Sequence, residues 1–148
     1  MSIRKEYNEV LKKLESISPI NYYNNIQLNN LAKCSRLKNK YNNTIMWDEY
    51  KPNTKKPYTI LNTDDSSKPG THWISLLKRG NTLYIYDSFA RTQTLTKDFN
   101  NKMLGLGYKV VYVNKGKDQK DKEVNCGLRC IVWLIFCDKY GIGKARKI

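Results

Sequence analysis

Histidine is almost absent from this chain: 148 residues contain one, His72. Any reaction needing an imidazole base therefore uses that side chain or has no histidine base at all. Long apolar runs are missing too. Nothing approaches the length of a membrane span, and the N-terminus lacks the apolar core of a signal peptide. These absences predict a reducing, cytosol-like setting without secretion or membrane attachment. The four cysteines, Cys34, Cys126, Cys130 and Cys137, then read as thiols. The last three fall too close together on one predicted helix to pair with each other. With a single imidazole and no paired C-x-x-C spacing, a zinc site is not expected, nor any other cofactor.

Acidic residues are scarce: 13 Asp and Glu face 27 Lys and Arg, a formal charge of +14. Such an excess predicts attraction to polyanions, with non-specific DNA binding as the candidate partnership. A bland explanation stands beside it. Of the 27 cations, 21 are Lys, and the chain is rich in Asn, Tyr and Ile. AT-rich codons encode all four, so genome composition accounts for part of the charge.

The length suits a single domain, 1–148, with a core of its own and expected as a monomer. Its first 50 residues read as mainly helical. Ile3, Tyr7, Val10, Leu11, Leu14 and Ile17 recur at three- and four-residue steps, predicting a helix over 3–17 capped by Ser2 and ended by Ser18-Pro19. A weaker helical pattern runs from about Gln27 to Lys40. Ile45-Met46-Trp47 is a short apolar segment, and Lys51 to Pro57 is an exposed loop. Residues 58–140 carry the chemistry. Tyr58 to Leu61 predicts a strand, and Trp73–Leu77 and Thr82–Asp87 predict a hairpin. A loop at Arg79-Gly80 would pair Leu76 with Leu83, Ile74 with Ile85 and His72 with Asp87. A loop at Gly80-Asn81 would slide the pairing by two, keeping the shared face but loosening the His–Asp contact. Leu95 to Leu104 suggests a short helix, and Tyr108 to Val113 a further strand. Gly127 to Tyr140 is apolar all round, which predicts a buried helix stopped by Gly141. The tail Gly143 to Ile148 is short, basic and expected to be loose.

Three residues form a chemical set. His72 opens one strand, Asp87 ends the next, and Cys126 begins the buried helix, where unsatisfied N–H groups favour a thiolate. Together they describe a thiol nucleophile, its base and the carboxylate that orients the base. The Cys126 N–H and the side chain of Gln119 are candidate oxyanion donors. Taken singly, each feature has an ordinary structural reading: a packed His, a turn Asp, a core Cys. Their conjunction on one hairpin and one helix start is what points to catalysis.

The order His, Asp, Cys, with Gly70-Thr71-His72-Trp73, Tyr86-Asp87-Ser88 and Gln119-x6-Cys126-Gly127-Leu128-x-Cys130, resembles the adenovirus-protease and Ulp1-type cysteine proteases over roughly residues 58 to 140. The papain order, Cys before His, is excluded. The resemblance implies an α+β fold, with a central mixed β-sheet packed against a buried helix that bears the nucleophile. It further implies a cysteine endopeptidase that cleaves after glycine, at Gly-x-Gly or Gly-Gly sites. Trp73 would wall a narrow groove, with Trp47 as the weaker candidate for its opposite wall. The spacing residues usual between the Gln and the Cys are replaced here by Lys120-Asp121-Lys122-Glu123-Val124-Asn125. Compact size and composition suit a virophage or small DNA virus whose protease trims capsid or scaffold precursors, in the virion or a cytoplasmic viral factory. Other readings are a deconjugating protease for a ubiquitin-like modifier, an acyltransferase on the same scaffold, or a non-enzymatic basic DNA-binding virion protein.

Overall fold

In the computed structural model, residues 2–17, 23–64, 67, 72–88, 97–113 and 125–148 are described. The expected N-terminal helix is α1, Ile3–Ile17, and the Lys5 N–H donates to Ser2 Oγ at 3.2 Å, as an N-cap requires. The second helix, α2, covers Asn25–Lys33 and is shorter than its sequence pattern suggested. A capping box starts it: the Gln27 N–H donates to Asn24 Oδ1 at 2.8 Å, and the Asn24 N–H to Gln27 Oε1 at 2.9 Å. Beyond Cys34 the chain turns, and Leu37 is buried from a turn rather than a helix.

The apolar segment around Ile45 belongs to a strand, β1, Tyr41–Met46, followed by a single 3-10 turn over Trp47–Glu49. Its start was hidden by Asn42 and Asn43, poor strand formers that coincide with a register irregularity between Tyr41 and Thr44. Strand β2 is Tyr58–Asn62, β3 is Trp73–Arg79 and β4 is Thr82–Tyr86. Helix α3, Lys97–Gly105, leads to β5, Lys109–Tyr112. The long helix α4 is Cys126–Tyr140, and a short α5, Ile142–Ala145, follows the turn at Gly141.

The five strands form one mixed sheet in the order β1-β2-β3-β4-β5. Pairs β1/β2 and β4/β5 are parallel, and the central pairs are antiparallel. Side chains alternate strictly across it. Tyr58, Ile60, Leu77 and Tyr86 face α4, where they meet Leu128, Ile131, Trp133 and Phe136. Leu61, Ile74, Leu76, Leu83 and Ile85 face the other way, onto Phe99 and Met103 of α3. Helix α1 packs against α4 on this same side of the sheet, with Tyr7 edge-on to both Phe136 and Tyr86. The molecule is therefore α+β in three layers, with a sheet buried on both faces.

Of the two hairpin registers left open, the structure takes the second, and the expected loose tail needs correction. The hairpin turns at Gly80-Asn81, so Arg79 pairs with Thr82, Leu77 with Tyr84 and Leu76 with Ile85. Gly80 has φ 59°, a left-handed conformation that only glycine takes cheaply, and this places the loop one residue later than the Arg79-Gly80 alternative. The C-terminal tail is also not loose. Ile142, Ala145 and Ile148 are buried, and the Trp133 indole N–H donates to the Ala145 carbonyl at 3.2 Å. Apolar residues at three-residue spacing dock this basic tail against α4.

Candidate active site

Hydrogen-bond register defines two ends of the sheet. Met46, Asn62 and Trp73 stand side by side at one end, where β4 also finishes. His72 lies one residue before β3, and its carbonyl accepts from the Thr63 N–H at 3.0 Å, which carries the pairing with β2 just past the strand. Asp87 lies one residue after β4. With the observed register the two are diagonal neighbours, not directly opposed. An imidazole is long enough to span a diagonal. His72 Nε2 meets Asp87 Oδ1 at 2.6 Å, so the slid register keeps the contact tight. Both side chains are almost fully buried.

Helix α4 runs alongside β3 in the same direction: Ser75 Oγ donates to the Cys130 carbonyl at 3.2 Å, and Tyr58, at the far end, donates to Asp138. This brings Cys126, in the first turn of α4, to the sheet end that holds His72. The thiol and the imidazole hydrogen-bond to each other. Because Asp87 takes Nε2, Nδ1 is the ring nitrogen left for the sulfur. The backbone N–H groups of Trp73 and Gly127 also donate to Cys126 Sγ.

Burial works against charge on both partners, pushing the imidazole's pKa down and the thiol's up. The Asp87 and Cys126 bonds outweigh it at His72, whose pKa is raised to about 9. The His72 bond, its positive charge and the two backbone donors lower the pKa of Cys126. The pair is thereby biased toward thiolate and imidazolium. Cys130, one turn further on and fully buried, is pushed well above the ordinary thiol range. Two cysteines four residues apart on one helix thus have opposite chemistry. Of these two, Cys126 is the one that is both activated and partly exposed.

Gly127 has a packing role that its place after the cysteine did not reveal. A Cβ there would stand 3.0 Å from Leu28 Cδ2 and 3.3 Å from Tyr23 Cβ. Glycine lets α2 approach the start of α4 this closely. Tyr23 in turn accepts the Trp73 indole N–H at 2.8 Å through its carbonyl, so the Trp beside the imidazole is held half-buried. Trp47 follows the end of β1 at the same sheet end, but its ring sits edge-on to Phe99 on the α3 side. Gln119, the expected second oxyanion donor, lies outside the described residues, as do Gly70 and Thr71.

Asn125 was given no role by sequence reasoning, although it adjoins Cys126. Its Nδ2 donates to Glu15 Oε1 of α1 at 3.0 Å, and its Oδ1 accepts from Arg129 Nε at 3.0 Å. Arg129 is buried. The residue before the thiol is thus tied to two helices, a link between positions 110 apart in sequence that no local pattern signals.

Among the described residues, no helix is long and apolar enough to cross a membrane, and no group of three His, Cys, Asp or Glu side chains is arranged to hold a metal ion. The chain matches no protein-family model and no curated protein.

Proposed function

We propose that this chain is a cysteine endopeptidase of the adenovirus-protease and Ulp1-type fold. It acts through Cys126, His72 and Asp87, and cleaves after glycine in capsid or scaffold precursors. One observation carries the reading: the sole imidazole lies between a carboxylate at 2.6 Å and an activated thiol. In the proposed reaction the Cys126 thiolate attacks the scissile carbonyl carbon and the oxygen becomes an oxyanion. The Cys126 N–H, at the first position of α4 where backbone donors lack an intrahelical partner, is the proposed donor to that charge. His72 gives its proton to the leaving amine, which departs with the C–N bond electrons and leaves a thioester. Water then adds to the thioester as His72 takes its proton, and collapse frees the acid and the thiol. Asp87 holds the ring and stabilises its charged form throughout. Positioned proton transfer of this kind contributes roughly 10²–10⁴-fold to rate.

The reading is tested with a Gly-Gly vinyl ester on wild type, Cys126→Ala and His72→Ala. Labelling confined to wild type is expected, together with cleavage of Gly-Gly peptides. Equal labelling of all three would remove the assignment.

A further inference from the structure

Asparagine stands at the N-cap of both α2 and α4, and the two side chains behave differently. Asn24 has the extended backbone of a capping residue, φ −90° and ψ 175°, and its side-chain oxygen takes the Gln27 N–H. Asn125 has φ −97° and ψ 22°, and its side chain makes no capping bond. A capping asparagine bonds the N–H of the second or third helical residue, here Gly127 or Leu128. The first intrahelical bond comes later, from the Arg129 N–H to the Asn125 carbonyl at 3.0 Å. The Gly127 N–H is instead a donor to Cys126 Sγ. A capping Asn125 would compete with the sulfur for that donor.

Both ends of the Asn125 amide are held away from the cap. Its Oδ1 accepts from Arg129 Nε and its Nδ2 donates to Glu15 Oε1, each at 3.0 Å. A guanidinium only donates and an ionised carboxylate only accepts, so these partners also fix which way the amide points. Arg129 is buried, and turning the Asn125 oxygen to the cap would take an acceptor from a buried charge. Glu15 is in turn positioned by the anchoring of α1. Tyr7 and Tyr86 share a hydroxyl hydrogen bond at 3.1 Å, and Glu6 accepts from Lys139 and Tyr140.

We propose that Asn125 is a positioning residue, held off the α4 cap by Glu15 and Arg129 so that the first-turn N–H groups stay directed at the Cys126 sulfur. This deepens the proposed reaction and rests on Cys126 being its thiol. In that reaction the same first-turn donors serve the oxyanion, so Glu15 of α1 acts on the chemistry through Asn125. Among the described residues, the titratable groups around the start of α4 are His72 and Asp87 from the sheet, Tyr23 before α2, Glu15 of α1, and Arg129 and Cys130 on α4 itself. Charge alone and positioning predict opposite signs for loss of the Glu15 carboxylate. Taking negative charge from near the sulfur favours the thiolate. Freeing the Asn125 amide to cap the helix withdraws a donor from the sulfur and disfavours it.

The test compares Glu15→Ala, Glu15→Gln and Asn125→Ser with Glu9→Ala, which removes the same charge from another exposed position of α1. Because Glu15 is exposed, its variants are expected to fold. The pKa of Cys126 is read from the pH dependence of iodoacetamide alkylation, and kcat and KM are measured on a Gly-Gly peptide. In Glu15→Ala the pKa should rise by about 1 and kcat should fall ~5–10-fold, with KM within ~2-fold of wild type. Asn125→Ser, which caps well but is too short to keep both partners, should do at least as much. Glu15→Gln keeps an acceptor for the amide and should restore both values to within ~2-fold of wild type. Glu9→Ala should match wild type, as loss of a distant exposed charge does. A Cys126 pKa unmoved or lowered in Glu15→Ala, or raised equally in Glu15→Gln or Glu9→Ala, would overturn the inference. A wild type that cuts no peptide yet shows these alkylation shifts would remove the peptidase reading and leave the hold of Asn125 on the thiol supported.

Discussion

His72 titrates differently from a free imidazole because Asp87 and Cys126 both favour its charged form. The thiol reacts as thiolate, and departure of the amine needs the imidazolium. Under the proposed mechanism, activity is therefore expected to rise with pH through the lowered pKa of Cys126 and fall again near about 9, where His72 loses its proton. A pH–kcat/KM profile measures both limbs. The same shift predicts a stability contribution. A histidine whose folded pKa is raised from 6.5 stabilises the fold fully below about 6.5, and that contribution is lost as pH climbs through about 9. In His72→Ala the thiol loses its main stabilising partner, so its pKa should rise, read from the pH dependence of iodoacetamide alkylation. Asp87→Asn should lower kcat by about 10²-fold or more while the fold persists. Gly127→Ala tests packing at the same site. Its new Cβ meets Leu28 and Tyr23, and a cost of about 1–3 kcal/mol is expected in urea denaturation.

The Asn125 bridge makes the start of α4 depend on α1. Asn125→Ala removes both side-chain bonds and leaves the buried Arg129 without one acceptor. A loss of about 1–3 kcal/mol in stability is expected. The variant should also shift the alkylation pKa of Cys126, which a purely structural brace would leave unmoved. Glu15→Gln retains an acceptor oxygen for Asn125 and should be much milder on both measurements. At the opposite end of α1, Glu6 accepts from Lys139 and Tyr140 at 3.1 and 2.6 Å, so the helix is held at both ends. At the hairpin, Gly80→Ala forces a side chain into positive φ. It should destabilise by about 1–2 kcal/mol without touching the thiol chemistry, since the turn is at the far end of β3.

At the scale of the whole molecule, two apolar clusters lie on opposite faces of the sheet, and α5 belongs to the one around α4. Removal of residues 142–148 exposes the end of Trp133 and deletes the carbonyl that its indole uses. Lower thermal stability is expected, measured by the thermal midpoint. Loss of Ile142, Ala145 and Ile148 together should bring the protein close to unfolding. The parallel run of α4 beside β3 puts thiol, imidazole and carboxylate together at one end of the sheet.

The grouping of His72, Asp87 and Cys126 was legible in the sequence because its members sit at element boundaries that announce themselves. His72 and Asp87 flank a hairpin whose alternation is unbroken, and Cys126 opens a helix that is apolar on every side. Helix α1 was legible for the same reason, since a clear period and a cap are local facts. The edge strand β1 was not, because its asparagines carry no strand signal and only pairing with β2 makes them extended. Nor was the docked tail, since three apolar residues among basic ones show no partner until α4 is in place. What the chain determined by itself was which residue types could react and which faces would be buried. Tertiary structure alone decided the meeting of His72 with Cys126, the bridge from Asn125 to Glu15, and the opposite pKa shifts of Cys126 and Cys130. Each of these depends on distances between residues far apart in sequence, and such distances arise only once the layers have packed.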